Sequence, residues 1–181
     1  MKKVFLLAML ATGSIAIHSC NTSSANSPKE SVVKETAPPA SVGNTWEYST
    51  DEDKMGEGSK NASLIANDFL NFEFPYNSKE NRATLVIRQR AKDGTSIMLM
   101  VDKGQFSGDY DNPTVRIKFD DEKPKSYSYG TTSDGSSDVI FIHGEKSLVE
   151  KIKNSKKVVI EAEFYSHGNE QMIFNTAGLK I

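Results

Sequence analysis

The stretch ATLVIRQRAKDGTSIMLMV, residues 83–101, decides the fold class of this chain. In its first half, Leu85 and Ile87 fall on one side of an extended chain, opposite the side chains between and around them. Successive side chains of a strand point to opposite faces, so this period of two predicts a strand. The Asp-Gly pair at 93–94 is a turn signal, and a second apolar run follows it at 96–101. The stretch therefore predicts a β-hairpin.

Short runs of the same kind lie on both sides of this hairpin, and turn residues separate them. Apolar side chains recur at every second position, which predicts strands with one buried face. A short run at 105–106 is predicted to pair with 114–119 as a second hairpin. The other predicted strands cover residues 46–48, 61–66, 71–76, 125–129, 139–142, 158–165 and 171–174. The most regular inward-facing sets are Val115, Ile117 and Phe119, and Val158, Ile160, Ala162 and Phe164.

One segment has helical rather than strand spacing. Within residues 146–154, Leu148, Val149 and Ile152 recur as they would on one face of a helix. Ser147 is a candidate N-cap, because Glu150 follows it three residues later. Eight to ten short strands with one helix in the C-terminal half predict a mainly β fold, an antiparallel β-sandwich.

The first twenty residues have the order of an export signal. Lys2 and Lys3 precede an apolar run over 4–17, and small residues lead to Cys20. This is the pattern of a secretory signal peptide, and it is too short to span a bilayer as a helix. Its end resembles the lipobox of bacterial lipoproteins. That resemblance implies removal of residues 1–19 and acylation of Cys20, which becomes the first residue of the mature protein.

Residues 20–42 are predicted to form a flexible linker, and 43–181 the β-sandwich domain. The linker is rich in Ser, Asn, Pro, Lys, Glu and Ala, which bury little apolar surface. A flexible chain of this length spans roughly 25 Å on average. The predicted location is the bacterial cell envelope, with the protein anchored to a membrane through lipid on Cys20 and facing the periplasm or lying at the outer membrane.

Composition excludes several classes of function. The chain has 22 basic and 24 acidic residues, and removing the signal takes two lysines, so the mature protein is mildly acidic. Nucleic-acid binding requires a basic surface that this composition does not supply, so no nucleic-acid partner is predicted. The only cysteine, Cys20, cannot form an internal disulfide. Once acylated it leaves no thiol for catalysis.

No catalytic constellation, cofactor motif or metal-ligand pattern is recognisable. The segment 130–135 has the wrong spacing for a nucleophilic serine elbow and reads as a polar turn. Residues 109–112 begin like a calcium loop but lack its central glycine and closing glutamate. His143 and His167 are far apart in the sequence. We therefore predict no catalytic residue, no cofactor and no metal.

Four residues are the candidate site. Tyr127 and Tyr129 share a strand face and could supply an aromatic surface for a ligand or a protein partner in the envelope. Asp120 and Asp121 form an acidic turn, and solvated turns are the ordinary explanation for such pairs. The favoured hypothesis is a non-catalytic binding or accessory domain. The alternative is an envelope hydrolase that uses the turn carboxylates at Asp120 and Asp121.

The order of several short motifs resembles a group of small exported bacterial proteins of unknown function, and more distantly the VasI/TagO-type periplasmic proteins associated with type VI secretion. The motifs are Trp46, Phe74-Pro75-Tyr76, Leu85-Val86-Ile87-Arg88, Val115-Arg116, Phe119-Asp120-Asp121 and Phe174-Asn175-Thr176-Ala177-Gly178-Leu179. Two features depart from that group, since the cysteine pair often found near 108–112 is absent and Asn175 replaces the usual Asp. The resemblance implies an envelope β-domain and carries over no catalytic residue.

Overall fold

The computed structural model describes residues 45–52, 54–55, 57–109 and 111–181. Of these residues, 47% lie in strands and 7% in a helix, so the chain is mainly β. All of the strand pairs are antiparallel. The predicted fold class, an antiparallel β-sandwich of eight to ten strands with one helix, is confirmed. The predicted signal peptide, Cys20 and the linker lie outside the described residues.

The described chain contains ten strands and one helix. In order they are β1 (Glu47–Asp51), β2 (Ser59–Ile65), β3 (Ala83–Arg90), β4 (Gly94–Val101), β5 (Phe106–Ser107), β6 (Thr114–Phe119), β7 (Lys125–Thr131), β8 (Val139–Ile142), α1 (Glu145–Asn154), β9 (Lys157–Phe164) and β10 (Gly168–Asn175). Neighbouring strands follow the order β1-β2-β3-β4-β8-β7-β6-β9-β10, and β5 pairs with β9.

Strand β7 belongs to both layers of the sandwich. Its first half pairs with β6, with Lys125 opposite Ile117. Its second half pairs with β8, with Tyr129 opposite Ile142. One layer is therefore β1-β2-β3-β4-β8, the other is β6-β9-β10, and β7 turns the corner between them.

The core lies between the two layers and consists of cross-strand rows of apolar side chains. Each row joins residues that are directly opposite one another, and burial of apolar area is the main stabilising contribution. The rows in one layer are Leu85–Leu99–Ile140 and Ile87–Ile97–Ile142; those in the other are Ile117–Ile160–Met172 and Phe119–Val158–Phe174. All of these side chains are buried. The predicted inward faces of β3, β6 and β9 are confirmed.

Helix α1 buries the three side chains that its spacing predicted, Leu148, Val149 and Ile152. The predicted cap is wrong. The N-cap residue is Gly144, and no side chain caps the helix. Ser147 lies inside the first turn, where its hydroxyl donates a 3.0 Å hydrogen bond back to the carbonyl oxygen of Gly144.

Two strand predictions are also wrong. Strand β5 pairs with β9, with Phe106 opposite Phe164, and not with the strand at 114–119. Residues 71–76 form no strand, because the amide of Tyr76 donates to the carbonyl of Glu73 at 2.9 Å and closes a turn. This turn sends Phe72 inward and leaves Phe74 88% exposed.

The two ends of the strand order are joined by hydrogen bonds. The indole Nε1 of Trp46 donates to the carbonyl of Thr176 at 3.0 Å, just before β1 and just after β10. The hydroxyl of Tyr48 donates to Gly178 and accepts from the amide of Lys180. The amide of Asn67 donates to the carbonyl of Ile173 at 2.8 Å. The last residues of the chain therefore fasten the first strand.

Candidate functional site

Asp120 occupies the turn that follows β6, and its carboxylate accepts hydrogen bonds from backbone amides of another segment. Its Oδ1 accepts hydrogen bonds from the amides of Lys156 and Lys157 at 3.0 and 2.9 Å. Its own amide donates to the carbonyl of Lys157 at 2.9 Å. The backbone φ of Asp120 is +41°, a left-handed conformation that Asp and Asn tolerate better than most residues. The side chain thus ties the end of β6 to the connection between α1 and β9.

An open cleft of about 290 Å³ lies beside this turn, between it and the end of α1. Glu122 and Glu150 line it with Asp120. The ammonium of Lys151 lies 3.0 Å from a carboxylate oxygen of Glu122 and 4.9 Å from the centre of the Phe119 ring. The hydrogen bond to Glu122 raises the pKa of Lys151.

The two carboxylates of the acidic turn, Asp120 and Asp121, do not both line this cleft. Asp121 is exposed and is not among the lining residues. Of the acids that do line the cleft, Asp120 is bound to backbone amides and Glu122 is paired with Lys151. In the described ranges, no group of three His, Cys, Asp or Glu side chains could hold a metal ion.

We expect Asp120→Ala to lower the free energy of unfolding by about 2 kcal/mol, because two backbone amides lose a charged acceptor and alanine is strained at this φ. Asp120→Asn keeps an oxygen acceptor and tolerates the backbone, so a loss of about 1 kcal/mol or less is expected. Urea unfolding of both variants measures the difference. Equal losses would contradict the bracing role of this carboxylate.

Tyr129 is a core residue. It is 6% exposed, and its hydroxyl donates to the carbonyl of Ser107 at 3.2 Å. Burial raises the pKa of this hydroxyl, and the negative charge of Glu163 adds to the effect. Tyr127, two residues earlier, is half-buried against the same core. The face that the two tyrosines share is the inner one, so the structure does not bring them together as an exposed aromatic surface.

The outer face of the β6-β9-β10 layer carries a polar cross-strand row. Glu161 accepts hydrogen bonds from Arg116 on one neighbouring strand and from Gln171 on the other, each at 2.7 Å. The bond from Gln171, with help from Arg116, lowers the pKa of Glu161. The outward-facing Glu161 therefore stabilises the sheet through cross-strand pairs with Arg116 and Gln171.

The outer face of the other layer carries apolar side chains. Met98 lies between Val86 and Phe141 in one cross-strand row, and Met100 lies beside Val139 in the next. Met98 is only 8% exposed, whereas Met100 is 37% exposed. The alternation of β3 predicted which of its residues face outward, but the sequence did not predict how apolar this face would be across β4 and β8.

The most exposed aromatic residue of the described chain lies in the aromatic loop, the name we give to residues 66–82 between β2 and β3. Phe74 is 88% exposed at its tip, and Phe69 is 44% exposed. The guanidinium of Arg82 lies 4.0 Å from the centre of the Phe69 ring. Sequence reasoning missed this surface because it treated 71–76 as a strand. The Phe-Pro pair at 74–75 was the available signal for a turn.

The aromatic loop is held by specific contacts on both sides of its tip. Phe72 stacks on His167 with ring centres 4.4 Å apart and packs on Phe164 at 4.9 Å. The buried side chain of Asn81 donates to the carbonyl of Lys103 and accepts from its amide, both at 2.9 Å. Tyr76 packs partly against the core. The exposed Phe74 is therefore presented by a well-anchored segment.

Comparison of the chain with protein-family models, curated proteins and solved structures gives no match. None of the helical structure in the described ranges has the length and apolar character needed to cross a bilayer.

Proposed function

We propose that this protein is a bacterial envelope lipoprotein, anchored to a membrane through acylated Cys20, with a β-sandwich head that binds a partner and performs no catalysis. The observation that carries the proposal is the order of the first twenty residues. Two lysines, an apolar run and a small residue before the cysteine have the order of a secretory signal peptide, and the end of this segment at Cys20 resembles a lipobox. An anchor of more than one acyl chain would hold the protein stably.

Two features of the head support a binding role: its carboxylates have structural roles, and its exposed aromatic rings are available for contact. The carboxylate of Asp120 braces backbone, and that of Glu161 joins neighbouring strands. Phe69 and Phe74 expose apolar rings on the aromatic loop, and exposed apolar groups mark surfaces that contact a protein or a membrane. The hydrolase alternative at Asp120 and Asp121 would need a carboxylate that the fold already uses, so we do not propose it further.

The proposal includes kinship with the small exported proteins and the VasI/TagO-type periplasmic proteins. Its support is the order of motifs from Trp46 to Leu179, together with the all-antiparallel architecture that such an envelope β-domain implies. The partner class that fits this kinship is a protein of the cell envelope.

We expect Cys20→Ala to abolish acylation, so that the protein either leaves the membrane fraction or stays unprocessed. The physical reason is that alanine offers no thiol for the first acyl chain. Labelling of cells with a fatty-acid analogue, followed by membrane fractionation, measures both effects. Ser19→Ala is the matched control, because it keeps a small residue before the cysteine and should label normally. Unchanged fatty-acid labelling of the Cys20→Ala variant would contradict the lipoprotein proposal.

A further inference from the structure

The chain enters the head at the end that carries the aromatic loop. Strand β1 is antiparallel to β2, and its first residue, Glu47, pairs with Ser63 near the end of β2. The aromatic loop begins directly after β2 ends at Ile65. The described residue closest to the predicted linker, Thr45, therefore lies at the same end of the sandwich as this loop.

The two ends of the sandwich differ in chemistry. The end with the aromatic loop exposes Phe74, Phe69 and Tyr165, the last at 60% in the turn between β9 and β10. His167 of that same turn stacks on Phe72 of the loop, so the turn and the loop are neighbours.

The opposite end is formed by the tips of the β1–β2 and β3–β4 hairpins and is charged. Ion pairs join Arg90 to Asp93 at 3.1 Å and Lys92 to Glu57 at 3.6 Å. An open cleft of about 380 Å³ lies among these groups, with Asp51 and Glu52 also in its lining. Because its side chains are charged, this end of the sandwich favours contact with water over contact with an apolar phase.

We propose that the aromatic end of the head rests on the membrane to which the protein is anchored, with the ring of Phe74 inserted at the lipid headgroup level. Trp and Tyr rings favour this interfacial region, and Phe side chains of segments that lie on a membrane are buried at the boundary between headgroups and acyl chains. The inference rests on the proposed lipid anchor. The linker predicted for residues 20–42, with an average span of roughly 25 Å, would keep the head near the bilayer, so even weak insertion is populated through a high effective concentration.

The aromatic loop is already fixed by contacts with the rest of the head, and this favours membrane insertion further. Stacking of Phe72 on His167 and the paired hydrogen bonds of Asn81 with Lys103 fix the segment before any lipid arrives. Insertion of Phe74 therefore requires little additional ordering of the chain, and such ordering is one of the costs of binding. Phe69 and Arg82, stacked at 4.0 Å, add a ring and a cation beside it.

The test uses the full-length acylated protein with a single environment-sensitive fluorophore. Phe74→Cys introduces a thiol that can be labelled, because Cys20 is the only native cysteine and its thiol is acylated. Met55→Cys is the matched control, since Met55 is 85% exposed in the segment between β1 and β2, at the charged end. Each labelled protein is reconstituted into vesicles of phosphatidylethanolamine and phosphatidylglycerol, with and without brominated acyl chains.

Flotation with the vesicles is measured first, because stable flotation requires the lipid anchor, whereas insertion of a single ring is weak. A protein that does not float contradicts the lipid anchor, and the inference falls with it. In a protein that floats, we expect blue-shifted emission and quenching by the brominated lipid from the label at position 74, and neither from the label at 55. Water-like, unquenched emission at both positions would overturn the membrane contact while leaving the anchor intact, and would assign the aromatic end to a protein partner instead.

Discussion

Replacement of Phe164 by alanine is expected to lower the free energy of unfolding by about 3–5 kcal/mol. The ring is 1% exposed and lies where β9 meets two other segments. Its centre is 4.9 Å from that of Phe72 in the aromatic loop and 4.7 Å from that of Phe106 in β5. Truncation therefore removes buried apolar area and leaves a cavity shared by three parts of the chain.

Chemical denaturation of the wild type and the variant measures this loss. The neighbouring residue supplies the control, because Tyr165 is 60% exposed. Tyr165→Ala should change the free energy of unfolding by about 0.5 kcal/mol or less, as surface substitutions usually do. Equal losses for the two variants would show that the strand phase of β9 has been misassigned.

Gly104→Ala is expected to destabilise the fold by roughly 3 kcal/mol, for two separable reasons. The backbone φ of Gly104 is +126°, where a side chain costs about 1–3 kcal/mol. A Cβ atom there would also lie 2.5 Å from Cε2 of Phe72 and 3.1 Å from its Cδ2. Crowding of this kind in a packed region adds about 1–3 kcal/mol.

A second glycine separates the two contributions. Gly94 has a φ of +77°, and a Cβ atom there would meet no heavy atom within 4 Å. Gly94→Ala should therefore show the backbone cost without the crowding, and thermal or urea unfolding of both variants gives the difference. In a Phe72→Leu background the excess loss at Gly104 should shrink. If Gly104→Ala costs no more than Gly94→Ala, crowding against Phe72 does not contribute to the loss of stability.

Most of the sheet could be predicted because inward and outward alternation is a local property of the chain. Leu85 and Ile87 revealed the phase of β3, and Phe164 that of β9, without knowledge of their partners. Pairing is non-local, and this is why β5 was assigned to the wrong strand. Two residues at 106–107 carry too little pattern to choose between β6 and β9, and the contact of Phe106 with Phe164 decides it.

The candidate site was less accessible to sequence reasoning for the same physical reason. The role of Asp120 depends on the amides of Lys156 and Lys157, which lie 36 and 37 residues later in the chain. A local sequence pattern cannot predict such a contact. Tyr129 was correctly placed with Tyr127 on one strand face, yet only the corner made by β7 determines that this face is internal. Phe74 was paired with Phe72 by alternation, and a single turn hydrogen bond at Tyr76 reversed its direction.

The hydrogen bond of Trp46 has a mechanical meaning. Within the described residues, strand β1 pairs only with β2, so a force applied at Thr45 would separate the two strands one residue at a time, beginning at Glu47 and Ser63. The buried indole, bonded to Thr176 on another part of the chain, stands directly before that point. This hydrogen bond would transfer a pulling force to the end of β10 before the first β1–β2 residue pair separates. It would therefore resist strand separation at the position where the proposed membrane tether would pull.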